Sequence, residues 1–581
     1  MFLRKNHDYD LIVIGSGAGG SVAAHYAAAL GKKVAVFEKG AIGGECPNFA
    51  CVPTKALLQS GEVLETAKNA KTFGISIQNV SYDFEEVFKR KNLVVARTGT
   101  SHGKEAFEKS GVHIIQHEAK FVSSHEVAAG DKTYSAHKFI IATGSKVFIP
   151  EIPGLTETKY ITFREAIDLR KPPKSLFIIG GGPVACEFAQ IFSIFGTSIT
   201  IATRSILLSS EDREVSDLVT ALFENRGITV LPGVTVTDVE KKKDKKLVSY
   251  KFGGKSESVE VEEILVATGK TPSLDLNLDM ANVRTSHSGI IVNKYLQTTA
   301  SHIFAAGDVI GPYLFTHSGE YQGYVASHNA FSYSKIRVNY NATPRCVFIT
   351  PEVACVGLSE TRAEKKGIRI KKGLAAISIL GRANTSEEFD GFVKVITNEQ
   401  EVMEKISELK PSLIFNCAAY NNVDKAEDEP EVALAINVEA VGYLTKAAAA
   451  CEATFVHFST DYVFDGENKE GYREEALPNP ISVYGQSKAL GEQRLLATSQ
   501  THNFANWYLL RTSKLFGPPG TGATSKKSFP EMMLGFARAK GRIEAIDAEI
   551  GSPTYVKDLV QRTLELVARD FMSRKSGTPN A

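Results

Sequence analysis

The chain has 581 residues, too long for one hydrophobic core, so three to five domains are expected. Lys+Arg (67) and Asp+Glu (66) nearly cancel, leaving a net charge of +1, which argues against nucleic acid or an acidic membrane surface as the main partner. Seven cysteines do not make a disulfide scaffold and fit a reducing compartment. The charged start, Met1-Phe-Leu-Arg-Lys5, runs directly into a strand, so no secretory leader is expected. With no run of about 18 apolar residues, no membrane span is expected either, and a cytoplasmic location is the default.

Asp10-Leu-Ile-Val-Ile14 reads as a buried strand. Gly15-Ser-Gly17-Ala-Gly-Gly20 follows and opens a helix. Glu38 stands 18 residues after Gly20, at the end of the next strand. Strand, glycine turn, helix and a downstream acid for a ribose form a dinucleotide-binding fingerprint. Next comes Gly43-Gly-Glu-Cys46-Pro-Asn-Phe-Ala-Cys51-Val-Pro-Thr-Lys55. A disulfide between Cys46 and Cys51 needs Cα atoms within roughly 7 Å. Five extended residues span about 16 Å, so the segment must coil back. Residues 52–60 read as a helix, placing Cys51 at a helix N-terminus, where the dipole favours a thiolate.

The fingerprint recurs. A strand at 175–179 leads into Gly180-Gly-Gly182-Pro-Val-Ala185, which opens another helix, with Ala185 in the third glycine's place. Eighteen residues on stands Thr203, followed by Arg204. With no carboxylate there and a guanidinium beside it, the second site reads as one for a 2′-phosphate, NADPH rather than NADH. Lys241-Lys-Lys-Asp-Lys-Lys246 reads as a solvated hairpin tip.

Residues 1–396 resemble the pyridine nucleotide-disulfide oxidoreductases, FAD enzymes that include dihydrolipoyl dehydrogenase, glutathione reductase and mercuric reductase. The dithiol segment departs from the family's pattern only at Ala50, where glycine is usual. The resemblance implies that Cys51 is the flavin-side thiol, that Cys46 exchanges with substrate, and that Lys55 pairs with Glu187 near the flavin. It makes Gly144 and Gly269, in Ala142-Thr-Gly-Ser145 and Ala267-Thr-Gly-Lys270, the turns where the chain crosses between nucleotide domains. Asp308, in Ala305-Ala-Gly307-Asp308, is expected on the FAD ribityl chain and phosphates. Thr316-His317 resembles the family's flavin-edge helix start. Arg204 disfavours a dihydrolipoyl dehydrogenase.

From Pro344 the chain resembles the family's dimerisation domain, but the text changes at Ile396-Thr-Asn398. The His-Pro-Thr segment that supplies an acid-base pair across the family's dimer is absent. Residues 399–570 resemble dTDP-4-dehydrorhamnose reductase, an extended short-chain dehydrogenase. The resemblance rests on Ser459-Thr-Asp-Tyr-Val-Phe-Asp-Gly466, Tyr484-Gly-Gln-Ser-Lys488 and Gly551-Ser-Pro-Thr554. It implies that Tyr484 protonates a sugar carbonyl, that Thr460 bonds it, and that Lys488 lowers the tyrosine pKa from the same helix face. No glycine-rich loop lies between 340 and 411.

The expected fold is α/β: two Rossmann-like domains for FAD and NADPH, a truncated α+β dimerisation domain and a partial Rossmann-type short-chain dehydrogenase. The expected boundaries are 1–149 and 273–343 (FAD and central), 150–272 (NADP), 344–396 (dimerisation) and 397–581 (reductase-like). Few contacts are expected across the junction near Thr397. The expected activity is electron transfer from NADPH through FAD and the Cys46-Cys51 dithiol to a small-molecule or small-disulfide acceptor, with no metal. The alternatives are reduction of a dTDP-4-keto sugar, or a non-catalytic fusion.

Overall fold

A computed structural model of the chain describes residues 7–516, apart from 369, 380, 388, 398, 422, 428, 429, 469 and 514, and residues 554–576. Asn398, Gly551-Ser-Pro553 and the first six residues, all used above, lie outside the described residues. The chain divides into two compact units, Met1–Ser359 and Glu360–Ala581.

In the first unit, Tyr9–Ile14 lies inside a sheet, parallel to Val34–Phe37 on one side and Lys132–Ile141 on the other. Leu11, Ile12 and Val13 are fully buried. A parallel strand covered on both faces needs such an unbroken apolar run. Ile303–Ala305 joins the same sheet beside Lys132–Ile141, which brings Gly307-Asp308 to the end of the sheet that carries Gly15. Helix Thr316–Phe331 packs on helix Ala18–Ala29 so closely that a Cβ on Gly323 would sit 2.1 Å from the Gly19 carbonyl oxygen.

A second parallel sheet runs Thr229–Pro232, Ser198–Thr203, Ser175–Ile179, Glu263–Val266. Three antiparallel strands, Thr235–Lys242, Lys245–Phe252 and Lys255–Val261, flank it. The basic run is a hairpin turn between the first two, with Lys243 left-handed at φ 54°. Lys246 is drawn in, however, by an ion pair with Glu263. The two crossover segments pair with each other: Lys270–Pro272 runs antiparallel to Ser145–Val147. Pro344–Val347 and Val353–Val356 form a hairpin whose connecting loop is tied to helix Pro183–Ile194, where Glu187 and Gln190 accept the Phe348 and Thr350 N–H groups.

The second unit begins with helix Glu360–Lys365, followed by the antiparallel pair Lys371–Ala376 and Phe392–Thr397, with helix Gly381–Ser386 between its strands. Helix Glu399–Leu409 follows. A three-stranded parallel sheet then runs Leu413–Asn416, Thr454–Thr460, Trp507–Thr512. The expected gap at Thr397 is not found. The antiparallel pair belongs to the same compact unit as the strands after it, and a Cβ on Gly373 would meet the Val432 side chain at 3.4 Å. The change of sequence character is therefore not a break in packing. The stretch Pro430–Ala450 is long and apolar enough, by length and composition, to cross a membrane, though Glu431, Asn437, Glu439 and Lys446 interrupt it. Val441, Ala447 and Ala448 are buried within the unit.

Candidate functional site

The first glycine turn is fixed by close backbone approaches. Gly15 has φ +101°, and a Cβ there would lie 2.3 Å from the Ala142 carbonyl oxygen; one on Gly20 would lie 1.9 Å from that of Gly15. Helix Ala18–Ala29 starts at Gly17, which has no side chain to cap it. Its free N–H groups make a site for an anion. Glu38 follows the second strand and accepts from Ser16 N (2.9 Å), Ser16 Oγ (2.7 Å) and Gly40 N (2.7 Å). Gly144 and Gly307 each carry a positive φ, with no atom within 4 Å of where a Cβ would stand. Asp308 accepts from Ser145 Oγ at 2.6 Å. An uncapped helix start, a carboxylate beyond the next strand and two turns with room beside their backbones fit a flavin dinucleotide.

The dithiol segment does coil back. Gly43 and Gly44 take φ +90° and +74°, and the Asn48 amide bonds the carbonyls of Ile42 (3.0 Å) and Gly44 (2.8 Å). A short helix, Glu45–Asn48, precedes the long helix Cys51–Asn69, of which Cys51 is the first residue. Ala50 has φ −121° and ψ −97°, so its backbone is not in the left-handed region that calls for glycine. Cys46 and Cys51 are free thiols. Cys51 lies 3.6 Å from Thr316 Oγ1. The Cys46 hydrogen bond, then Thr316, Lys55 and Lys270, hold Cys51 down to about 6 against its burial, while the same bond pushes Cys46 up.

Lys55 and Glu187 do not form the expected ion pair. Both meet Phe348 instead: the Lys55 ammonium lies 3.7 Å from its ring centroid, and Glu187 accepts its N–H at 3.0 Å. Lys55 is exposed. Burial pushes the Glu187 carboxyl up to about 7. The cation that is mostly buried near the dithiol is Lys270, which bonds Glu45 at 2.6 Å and stands 3.8 Å from Asp308. Glu45 also takes Arg164 at 2.7 Å. Sequence reasoning missed this group, although Lys270 follows a crossover glycine and Glu45 precedes Cys46.

The second glycine turn repeats the first. Gly180 has φ +129°, and a Cβ would lie 2.2 Å from the Ala267 carbonyl oxygen. Gly182 starts helix Pro183–Ile194 without a side-chain cap. Gly182 and Gly269 have no atom within 4 Å of a Cβ position. Ala185 is fully buried, in keeping with close helix-sheet packing. Arg204 follows the strand Ser198–Thr203, exposed, at the edge of this turn.

In the second unit, Thr460 ends the middle strand and hydrogen-bonds the Tyr484 side chain. Lys488 lies one turn along helix Val483–Thr501. Its ammonium donates to the Phe458 carbonyl at 2.8 Å, and desolvation holds it down to about 8. Burial pushes the Tyr484 phenol up, the reverse of the fall that the resemblance implies, because Lys488 is turned to the backbone. Beneath them Glu492, 2% exposed, takes Arg511 at 2.7 Å and the Ser459 hydroxyl. Asn437, on a π-helical turn, bonds the Tyr420 backbone and the Ser487 hydroxyl. None of these supports was named from sequence. Among the described residues, no group of histidine, cysteine or carboxylate side chains could hold a metal.

The sequence model described as pyridine nucleotide-disulphide oxidoreductase matches residues 9–331. The chain belongs to this family, whose members are FAD-dependent enzymes that use a pyridine nucleotide. The family's dimerisation domain matches residues 343–403, and the RmlD substrate binding domain matches 375–578. Mercuric reductase from Bacillus cereus is 35% identical over 68% of this chain and 63% of its own length. Dihydrolipoyl dehydrogenase from Chlorobaculum tepidum is 34% identical over 67% and 84%. The chain thus spans less than two thirds of the first of these. A solved structure, the HOCl-induced flavoprotein disulfide reductase RclA from Escherichia coli, aligns with a TM-score of 0.61 at 25% identity, over 68% of this chain and 88% of that one.

Proposed function

We propose that residues 1–343 are the working part of an NADPH-dependent flavoprotein that delivers electrons through Cys46 and Cys51 to a small acceptor, a disulfide or a thiol-binding metal ion. The observation that carries this reading is the dithiol at the head of helix Cys51–Asn69, with Cys51 held down to about 6. Bound FAD supplies the two-electron relay between the reduced nicotinamide and the disulfide. Gly15, Gly17, Gly20, Glu38, Gly144 and Asp308 hold FAD. Gly180, Gly182, Gly269 and Arg204 hold NADPH, the guanidinium pairing with the 2′-phosphate. With a disulfide acceptor, Cys46 gives up its proton and attacks one acceptor sulfur, releasing the other as a thiol; the Cys51 thiolate then attacks Cys46 in the mixed disulfide, releasing the second thiol and re-forming the Cys46–Cys51 disulfide. Glu187, raised to about 7, is placed in pKa to exchange a proton at neutral pH, with the Lys55 ammonium over the ring of Phe348, whose N–H Glu187 accepts.

Residues 344–396 are read as a truncated dimerisation domain and 397–581 as a partial reductase-like domain, so specific dimerisation is weak and the protein is cytoplasmic. Purified protein should be yellow and, on limited reduction, give a thiolate-to-flavin charge-transfer band that Cys51→Ser abolishes. A colourless folded protein would sink this reading.

A second reading, reduction of a dTDP-4-keto sugar, draws on the Tyr484–Thr460 hydrogen bond. Within the second unit, the described residues before Leu413–Asn416 form one antiparallel strand pair and short helices, with no strand–glycine turn–helix for a nucleotide, so we place this activity second.

A further inference from the structure

Glu45 immediately precedes Cys46 and is the first residue of helix Glu45–Asn48. Each of its carboxylate oxygens takes a different cation, Oε1 from Arg164 at 2.7 Å and Oε2 from Lys270 at 2.6 Å. The Glu45 and Lys270 side chains are 19% and 23% exposed, so their bond is far less screened than a surface pair. The Arg164 guanidinium also lies 4.6 Å from the ring centroid of Phe49, inside the dithiol segment. Lys270 opens the crossover strand Lys270–Pro272 and stands 3.8 Å from Asp308, which Ser145 anchors from the opposite crossover. Four chain segments far apart in sequence thus converge on the residue beside the exchange thiol. Backbone bonds already join two of these segments, Lys270–Pro272 and Ser145–Val147, so the charges are not needed merely to connect those two.

Resting on the flavin-dithiol reading above, we propose that Glu45, Lys270 and Arg164 form a charge clamp on the dithiol segment, in which Lys270 is the positioning cation for the Cys51 thiolate and Glu45 anchors it. The groups acting on Cys51 are Cys46, Thr316, Lys55 and Lys270, which favour its charged form, with the Glu187 carboxyl facing it in opposition. Of the two cations, Lys55 is exposed and lies over Phe348. Lys270 is the one that water screens least. The Cys51 thiolate in turn favours the charged form of Lys270, so the two support each other. Arg164, 45% exposed, is the outer arm of the clamp and steadies Glu45.

The test is a pH titration of the reduced, flavin-loaded full chain, following the charge-transfer band and, on the same samples, the rate of iodoacetamide alkylation of Cys51 by peptide mass. The unmutated protein should ionise near about 6. Lys270→Met should move both midpoints up, the direction expected on losing a cation that favours the thiolate, and Lys270→Arg should restore most of the shift. Glu45→Gln, which keeps shape and a hydrogen-bond acceptor, should move them up by a smaller amount and carries the test should Lys270→Met fail to fold. Unmoved midpoints in folded Lys270→Met, or a downward shift in Glu45→Gln, would overturn the clamp. An unmutated protein without the band fails the flavin-dithiol reading itself; a band with unmoved variant midpoints removes the clamp alone.

Discussion

The two units hold comparable sets of chemistry-bearing side chains and differ in what surrounds them. In the first, the dithiol segment runs past the uncapped helix start at Gly17, and the second uncapped helix start, at Gly182, has open space beside it. In the second, Thr460, Tyr484 and Lys488 are brought together on a strand end and one helix face, over the Glu492–Arg511 pair. There the sheet ends at Leu413–Asn416, and the described residues ahead of it offer no glycine turn. The difference teaches that reactive side chains and a cofactor cradle are separable parts of an active site. Side chains can be held by local packing on one helix and one strand, whereas a dinucleotide needs bare backbone at a strand-to-helix turn.

The sharpest way to break this contrast is at a cradle glycine. Gly20→Ala places a Cβ 1.9 Å from the Gly15 carbonyl oxygen; the expected outcome is loss of bound flavin and of about 1–3 kcal/mol of stability, the usual toll of forced backbone strain. Gly182→Ala meets no atom within 4 Å and should leave the melting temperature unchanged while weakening nucleotide binding. Flavin absorbance and thermal unfolding of both variants check this.

A smaller effect is expected at Arg204. Stopped-flow reduction of the flavin should be faster with NADPH than with NADH, and Arg204→Ala should lose about 1.5–3 kcal/mol of that selectivity, the worth of a charged hydrogen bond. Equal rates with both nucleotides in the unmutated protein would remove the assignment.

A separate effect is an acid sensitivity of the second unit. His457, fully buried, is held by desolvation, and next by Lys488, down to about 3 from an ordinary 6.5. The unfolded chain therefore binds the proton first. Its contribution is fully present above about pH 6.5 and falls away as pH drops toward 3, at up to about 1.4 kcal/mol per pH unit. Denaturant unfolding of the second unit between pH 7 and 4 should show this slope, and His457→Gln should flatten it. A slope unchanged in that variant would locate the acid sensitivity elsewhere.

No effect at all is expected from Tyr484→Phe on NADPH oxidation by the full chain, and no dTDP-4-keto sugar should be reduced by either protein. Robust sugar reduction that Tyr484→Phe eliminates would erase the contrast between the units and demand a nucleotide site in the second.

The sequence by itself determined the features that depend on backbone geometry over a few residues. Gly15, Gly20 and Gly180 stand where a Cβ would strike a carbonyl oxygen, and Gly43-Gly44 stand where the dithiol segment must turn back. Such demands are local, so residue type and spacing reveal them. What only the tertiary structure decided are the partners of charges. Lys55 and Glu187 share Phe348 without pairing, Lys270 comes to the dithiol from the far crossover strand, and Lys488 bonds a backbone carbonyl rather than acting on Tyr484. The antiparallel pair ending at Thr397, whose sequence belongs with the first unit, packs with the second. An ion pair or an apolar contact forms wherever the folded chain places compatible groups within a few ångströms, and sequence spacing holds no record of distances between segments so far apart.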